Sequence, residues 1–466
     1  MNLFAFRKDT EKSSDLLFSR NYLAKLILPL VAEQFLAMTI GACDQVMVSS
    51  IGEAGISGVS LVDQFSQLMI QLFAAFATGG AVVSSQYLGH KSPEKARLAA
   101  KQLMNISLFV SFLFVALCLP FRVWLLRAVY GKVGKDVMAS ALTYFVWTVL
   151  SFPFLAVYNS SAALFRSMGN SKLSLKVSIF MNILNIVGNA VLIYGAKIGI
   201  AGAGISTLVS RAGGAIVLFA FLCKKNDSDV YLENIQKPEI NIPMIRRILS
   251  VGVPSGIENS VFHIGKTLVQ AFLSGFGTAA IAANAITNTV ASFSNIPGNA
   301  IGLGSVTVVG QCIGADKKKQ AVQYGSLLMK ITYLSMFAVS TLIFIFTPFL
   351  VGLFKLSDEA RVLASGITRT CMIANSVLWP MAFTMPNVLR AAGDVKFTMI
   401  VSNISMWAFR VLFSYLISHY ILLCKPSASH LALYGVWFGM YLDWIFRGAL
   451  FFIRFKNRKW LDKKII

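Results

Sequence analysis

Long apolar runs separated by short polar loops recur along the whole chain. Most of them hold the roughly 20 residues that a helix needs to cross a bilayer, and they lack the apolar–polar alternation of a barrel strand. The pattern therefore predicts a polytopic, all-α membrane protein with twelve transmembrane helices. The spans are expected near residues 22–49, 56–87, 98–120, 138–163, 173–195, 199–223, 248–275, 280–312, 322–350, 362–388, 397–421 and 431–453.

The composition excludes several classes of protein. Of the 466 residues, 56% are hydrophobic and only 13% are charged, whereas soluble domains carry about 25% charged residues. A soluble enzyme, a disordered chain and a secreted disulfide scaffold are therefore excluded. The six cysteines lack metal-ligand spacing, and the four histidines do not converge on a catalytic site. Neither an enzyme nor a bound cofactor is expected.

The net charge of +22 is informative once the basic residues are placed along the chain. Most of them lie between or beyond the apolar runs, which is typical of the cytoplasmic loops of membrane proteins rather than of a nucleic-acid-binding face. Counted loop by loop, they predict a multi-pass protein of the plasma (inner) membrane with both termini cytoplasmic. The basic loop between the third and fourth spans is the exception. The lipid bilayer is an expected partner, nucleic acid is not, and the protein is expected to be a monomer.

The chain contains an internal repeat. A shift of 225 positions overlays its first part on its second without gaps over more than sixty residues. The shift places Pro29 on Pro254, Glu33 on Glu258, Gln45 on Gln270, Gln86 on Gln311 and Gly89 on Gly314. With six spans in each half, both halves enter the membrane from the same side, so the repeat is parallel. Many transporters of this design bind substrate between their halves, although channels and structural proteins can also be duplicated.

The repeat predicts how the chain is divided. We expect a cytoplasmic N-terminal segment (1–21), an N-lobe with spans one to six (22–223), a cytoplasmic linker (224–247), a C-lobe with spans seven to twelve (248–455) and a basic cytoplasmic tail (456–466).

Five acidic residues fall inside the predicted spans: Glu33, Asp44, Asp63, Glu258 and Asp443. A charge at the bilayer centre costs at least about 2.5–3.5 kcal/mol, so an acid at this depth is a candidate functional residue. Asp443 is the exception, because Arg447 follows at i+4 and a local ion pair explains both residues.

Polar residues at helical spacing form stripes beside these acids on spans two and seven. A similar stripe lies on span eight, which the internal repeat places on span two. We interpret the facing stripes as the walls of a wet substrate cavity, although a single amide is better explained by an interhelical hydrogen bond. His263 and Lys266 either take part in proton movement or only neutralise a buried acid. Acidic groups among Phe and Met walls favour lipophilic organic cations. The predicted substrate-cavity residues are Glu33, Asp63, Gln67, Glu258, His263, Lys266, Asn284 and Asn288.

The order and spacing of several short motifs resemble those of the multidrug and toxin extrusion (MATE) family, part of a superfamily that includes lipid-linked oligosaccharide flippases. The resemblance covers roughly residues 22–455. The motifs are Leu28-Pro29, Asp44-Gln45-Val46-Met47-Val48, Ser85-Gln86-Tyr87-Leu88-Gly89, Leu164-Phe165-Arg166-Ser167-Met168-Gly169, Gly199-Ile200-Ala201-Gly202, Val309-Gly310-Gln311-Cys312-Ile313-Gly314 and Val388-Leu389-Arg390-Ala391-Ala392-Gly393-Asp394.

This resemblance implies a V-shaped pair of six-helix lobes and secondary active antiport, in which organic cations and drugs are exported in exchange for inward H⁺ or Na⁺. It also implies a cation-coupling site at the positions that match Asp44, Asn185, Asn189 and Thr207. The family often has a carboxylate where this chain has Asn189, and a second C-lobe acid on the tenth span is missing. One carboxylate among amide and hydroxyl oxygens suits Na⁺ as well as H⁺, so either could be the coupling ion. Apart from Na⁺ at Asp44, no metal ion is expected.

Three alternatives to antiport make different demands on the sequence. A lipid-linked oligosaccharide or other lipid flippase of the same superfamily would need several cations inside its cavity, for which the candidates are Lys266, Arg211 and Arg410. A major-facilitator-type carrier is disfavoured by the sequence of the loop 89–97. A channel or receptor without a coupled ion would tolerate Asp44→Asn. The natural substrate is not determined by these patterns.

Overall fold

Helices and loops account for all of the chain that the computed structural model describes, and those residues contain no strand. The all-α prediction is confirmed. The described residues are 16–131, 133–225, 229–233, 239–354, 356–424, 429–463 and 465–466. The predicted N-terminal segment and linker are therefore covered only in part, since residues 1–15, 226–228 and 234–238 lie outside the described residues.

Helices occupy all six predicted span positions of the N-lobe. Span 1 is Arg20–Ser49, span 2 is Glu53–Gly89, span 3 is Pro93–Cys118, span 4 consists of Lys135–Leu150 and Phe152–Ser167, span 5 is Ser171–Asn189 with its extension Ala190–Gly195, and span 6 is Ile200–Cys223. A short helix, Arg122–Tyr130, lies between spans 3 and 4.

The C-lobe repeats this order. Span 7 is Ile242–Leu273, span 8 consists of Thr278–Ser294 and Ile296–Gly314, span 9 is Lys318–Gly352, span 10 consists of Asp358–Val377, Pro380–Thr384 and Met385–Ala391, span 11 consists of Val395–Ser405, Met406–Phe413 and Ser414–Cys424, and span 12 is Ser429–Lys456. A short 3₁₀ turn, Lys459–Asp462, follows span 12.

Nine of the described helices are long and apolar enough to cross a membrane, and a tenth span results when the two helices of span 4, bent by 45°, are taken together. Spans 7 and 10 are outside this set, so the twelve helical segments differ in apolar character. Span 7 carries Glu258, His263 and Lys266, which lower its hydropathy. The polar composition of this span indicates that it faces the protein interior more than lipid.

Breaks within the spans occur at prolines and at π-helical segments. Pro153, Pro297, Pro380 and Pro386 each stand at one of the first two positions of a helix, where the missing N–H of proline costs no helical hydrogen bond. Span 5 continues past Asn189 as a π-helix, and span 11 has a π-helical segment, Met406–Phe413. Such segments are frequent at functional sites.

The two lobes pack closely at one end of the molecule, where the last turns of spans 2 and 8 cross. A Cβ atom on Gly89 would overlap the carbonyl oxygen of Gln311, and one on Gly314 would overlap that of Gln86. We call the region formed by these four residues the packed end. An apolar cluster built by both lobes lies beside it: Ala77, Ala81, Val82, Ala163, Val251, Val306 and Val395. The polar stripes of spans 1, 2, 7 and 8 lie farther along these helices, away from the packed end.

Candidate functional site

The N-lobe encloses a cavity of about 700 Å³ that is walled by spans 1, 2, 4, 5 and 6 and faces span 8 of the other lobe. We call it the N-lobe cavity. Its polar lining residues are Asp44, Gln45, Ser60, Asp63, Gln64, Ser66, Gln67, Tyr144, Asn189, Thr207, Arg211 and Thr289. Phe293 adds an aromatic wall from the C-lobe. The cavity therefore contains two carboxylates and one guanidinium.

Asp44 is held in this cavity by neutral amides. The Asn189 Nδ2 donates a hydrogen bond of 2.5 Å to the Asp44 Oδ1. The Asn185 amide, oriented so that both of its polar atoms find partners, donates through its nitrogen to Oδ1 at 2.6 Å and to Oδ2 at 3.2 Å. Asp44 has no ion pair with any described residue. Its carboxylate is thus fixed in position without being neutralised by a bonded cation.

The remaining member of the predicted coupling set, Thr207, and the side-chain oxygen of Asn189 also belong to this site. Thr207 lines the cavity, donates its hydroxyl to the Ala203 carbonyl at 3.0 Å and is also hydrogen-bonded through its side chain to Tyr144. The Oδ1 of Asn189 is buried and accepts no hydrogen bond from a described residue. One buried oxygen without a donor, the Asn189 Oδ1, therefore lies beside the Asp44 carboxylate, which is an arrangement that a monovalent cation can use.

The cavity also contains Arg211, which the sequence suggests only as a cavity cation of a flippase, and Tyr144, which is not a predicted site residue. Arg211 is half-buried and lines the cavity, donates to the Ser151 Oγ at 2.7 Å, and its charge acts on both Asp44 and Asp63. Its position could have been found from the sequence, because it follows Thr207 by four residues and residues at i and i+4 share a helix face. Tyr144 carries no such signal, since only tertiary packing brings span 4 to the cavity.

The predicted substrate-cavity residues are divided among different places. Asp63 and Gln67 line the N-lobe cavity. Lys266, Asn284 and Asn288 line a second cavity of about 260 Å³ in the C-lobe. Glu258 and His263 line a third cavity of about 250 Å³, which also touches Gln71 of span 2. The stripes on the two lobes thus border separate cavities.

Two of the predicted acids are held by arginines. The Glu33 Oε1 lies 3.4 Å from the Arg166 Nη1, and both Glu33 oxygens accept from the Ser174 hydroxyl. Glu33 lines none of the three cavities named above. Its repeat mate Glu258 lies 2.6 Å from the Arg390 Nη2. Each lobe therefore contains a glutamate–arginine ion pair at equivalent positions of the repeat.

Asp443 also forms ion pairs with arginines. The predicted i,i+4 ion pair with Arg447 is confirmed, with 2.8 Å between Arg447 Nη2 and Asp443 Oδ1. Within the described part of the chain, no group of three or more His, Cys, Asp or Glu side chains could hold a metal ion.

Comparison with known proteins agrees with this architecture. The family model described as MatE matches residues 29–191 and again residues 254–416, in the register of the internal repeat. The chain is 28% identical to the uncharacterized transporter YisQ of Bacillus subtilis, over 97% of each chain. It is 26% identical to the probable multidrug resistance protein NorM of Thermotoga maritima, over 96% of this chain and 94% of that protein. A solved structure described as the outward-facing conformation of a multidrug resistance MATE family transporter superposes with a TM-score of 0.86 at 19% identity, over 94% of this chain and 95% of that one.

Proposed function

Since the chain belongs to the MatE family and is an integral, multi-pass membrane protein of a transporter fold, we propose that it is a secondary active antiporter. It exports lipophilic organic cations in exchange for inward H⁺ or Na⁺. The observation that carries this proposal is the state of Asp44, a carboxylate in an accessible cavity that is held by the amides of Asn185 and Asn189 and has no bonded cation among the described residues.

A coupling cation and the substrate would compete for this cavity. H⁺ would bind to the Asp44 carboxylate alone. Na⁺ would bind to the same carboxylate together with the free Asn189 Oδ1 and the Thr207 oxygen, because hard cations prefer oxygen ligands. An organic cation would face Asp63 and Gln67, with Phe293 as an aromatic wall. Binding of the inward-moving ion would weaken the attraction of the cavity for the organic cation and so favour its release.

The conformation fits the release side of such a cycle. The lobes are in contact at the packed end, and the N-lobe cavity lies toward the opposite end of spans 1 and 2. If the packed end is cytoplasmic, as the distribution of Lys and Arg predicts, the cavity is accessible from outside. We propose that the protein works as a monomer in the plasma (inner) membrane with both termini in the cytoplasm.

A lipid flippase is disfavoured by the charge of the N-lobe cavity. A pyrophosphate headgroup would require several cations, whereas Arg211 is the one cation of the described lining and stands against Asp44 and Asp63. The N-lobe cavity therefore attracts positive rather than negative ligands.

The test is transport of ethidium in proteoliposomes under an imposed proton gradient and, separately, a sodium gradient. Wild type should move the dye with at least one gradient, and Asp44→Asn should lose this coupling. Asp136→Asn, an exposed carboxylate at the start of span 4, is the matched control and should behave as wild type. An ethidium transport rate that does not change with either gradient would contradict antiport.

A further inference from the structure

The second cavity, in the C-lobe, has a different chemistry from the N-lobe cavity. We call this space of about 260 Å³ the C-lobe cavity. Its walls contain three tryptophans, two phenylalanines and several amides, and its two charged lining residues among those described are both cations, Lys266 and Arg410. No described lining residue is a carboxylate. Its aromatic lining residues are Phe262, Trp379, Phe383, Trp437 and Trp444.

Lys266 is an unpaired cation. It lies on span 7, its side chain is accessible from the cavity, and it makes no ion pair or hydrogen bond with any residue that the structure describes. Its positive charge and that of Arg410 act on each other. Two like charges that line one apolar-walled cavity raise the electrostatic potential there, so a bound anion would relieve this repulsion.

Arg410 is buried with spare hydrogen-bonding capacity. Only 5% of this residue is exposed, and its Nε has no hydrogen-bond acceptor among the described residues. The Trp444 Nε1, another lining residue, is also a buried donor without an acceptor. Buried donors of this kind are costly unless something accepts from them. Both observations indicate that an acceptor group belongs in this cavity.

The nearby carboxylates are paired with arginines, and the Asp443 Oδ2 and Glu258 Oε2 are themselves buried without a hydrogen bond among the described residues. Asp443 is fully buried and accepts from Arg447 at 2.8 Å and from the Ser405 hydroxyl at 2.6 Å. Its second oxygen lies 3.5 Å from the Arg410 Nε, an ion pair without a hydrogen bond. Two arginines therefore share this one acid, and Lys266 has none. The acid of the adjacent 250 Å³ cavity, Glu258, is neutralised by Arg390 at 2.6 Å.

The internal repeat shows at which equivalent positions the N-lobe cavity and the C-lobe cavity differ in charge. The 225-residue shift places the N-lobe acids Asp44 and Asp63 on Val269 and Asn288. It also places Gly41, a lining residue of the N-lobe cavity, on Lys266. At equivalent positions the C-lobe cavity thus lacks both carboxylates and carries a cation, while Gln45 and Gln270 line their cavities in both lobes.

We propose that the C-lobe cavity is a binding site for an aromatic organic anion. The carboxylate of the ligand lies between the Lys266 ammonium and the Arg410 guanidinium, and its rings lie among the tryptophans and phenylalanines. The amides of Asn284 and Asn288, on span 8, line the polar side of the cavity. Ligand pockets usually measure about 300–1,000 Å³, so this smaller cavity suits a bicyclic acid rather than an extended lipid. The site is separate from Asp44 and does not rest on the antiport proposal.

The test is equilibrium binding of tritiated 2-naphthoate to the full-length protein in detergent, with no ion gradient. 2-Naphthylmethylammonium and naphthalene serve as the cationic and neutral competitors of the same size. Wild type should bind naphthoate, and both competitors should be at least about tenfold weaker, since a charge-assisted contact to each cation is available only to the anion. Lys266→Gln should weaken naphthoate binding about tenfold or more, and Lys266→Glu should reverse the preference in favour of the ammonium compound.

The matched control is Lys176→Gln, which removes a lysine on span 5, outside the cavity, and should bind naphthoate as wild type does. If Lys266→Glu is not monodisperse in solution, Lys266→Met repeats the loss of the positive charge with a neutral side chain of similar length and should weaken naphthoate binding as Lys266→Gln does, without favouring the ammonium compound. Equal naphthoate binding by wild type and Lys266→Gln would overturn the proposal, and so would equal competition by all three naphthalenes. Because no gradient is applied, the binding result can be interpreted even if the ethidium antiport experiment fails.

Discussion

Gln86 and Gln311, which the internal repeat places on each other, form reciprocal hydrogen bonds between the two lobes. The Gln86 Nε2 donates to the Ala391 carbonyl at 2.9 Å, and the Gln311 Nε2 donates to the Ser167 carbonyl at 2.7 Å. The acceptors are themselves close to repeat-related positions at the ends of spans 4 and 10. The packed end is therefore held by two copies of one contact, and both must break before the lobes can separate there.

The double variant Gln86→Ala/Gln311→Ala should open the packed end more often. Each neutral hydrogen bond contributes about 0.5–1.5 kcal/mol, so the pair contributes about 1–3 kcal/mol, which corresponds to a roughly 5- to 150-fold larger open population. Cys312 is fully buried in an apolar cluster that both lobes build at this end, so its rate of alkylation reports opening once the other five cysteines are replaced. Gln323→Ala, on the exposed face of span 9, is the control, and an unchanged alkylation rate in the double variant would show that these glutamines do not hold the lobes.

Ile465→Asp should loosen the same region by a different route. The Ile465 N–H donates to the Gln86 Oε1 at 3.4 Å, and its side chain packs on the apolar cluster that joins the lobes. Since half-burial of such a side chain contributes about 1 kcal/mol, a carboxylate in its place should raise the alkylation rate of Cys312. Ile465→Val should leave the rate close to wild type. If the aspartate variant also matches wild type, the tail does not take part in closing this end.

Asn189→Ala should impair ion coupling without loss of the fold. The substitution removes the 2.5 Å hydrogen bond to Asp44, and a hydrogen bond to a charged group contributes about 1.5–3 kcal/mol. We expect gradient-driven ethidium transport to fall by roughly tenfold or more. Asn182→Ala is the matched control on the same helix, since its amide donates to the Ser178 hydroxyl and not to Asp44. Equal activity of the two variants would remove Asn189 from the coupling site.

Asp443→Asn should destabilise the C-lobe. This carboxylate is fully buried between Arg410 and Arg447, and loss of one partner of a buried ionic cluster costs about 3–5 kcal/mol because the remaining charge is uncompensated. The measurement is the apparent Tm in detergent, which should fall clearly. Asp358→Asn, which removes an exposed carboxylate paired with Arg361 at 3.8 Å, should leave Tm unchanged. A Tm of Asp443→Asn equal to that of wild type would mean that the arginines are compensated in another way.

Local patterns predicted much of the architecture. The apolar runs predicted helices at all twelve span positions, and the Asp443–Arg447 ion pair followed from i,i+4 spacing on one helix. The prediction of which acids share a cavity was less accurate. Glu33 and Asp44 are eleven residues apart on span 1, and both were expected to face an open cavity, yet Arg166 and Ser174 hold Glu33 away from it. Helical periodicity gives the face of a residue on its own helix but not the partner that packs against it.

The sequence by itself determined that the chain is helical, membrane-embedded and duplicated, because these properties depend on runs of apolar residues and on self-similarity, which are local or one-dimensional. The family resemblance implies that Asp44 lies with Asn185 and Asn189, but tertiary structure alone decided that Glu33 and Glu258 meet arginines and that Lys266 meets no acid. The partner of a buried charge lies on a different span, 100 or more positions away in several of these cases. Such a pairing is set by how the helices pack, and the same side chains in another packing would have a different net charge around them.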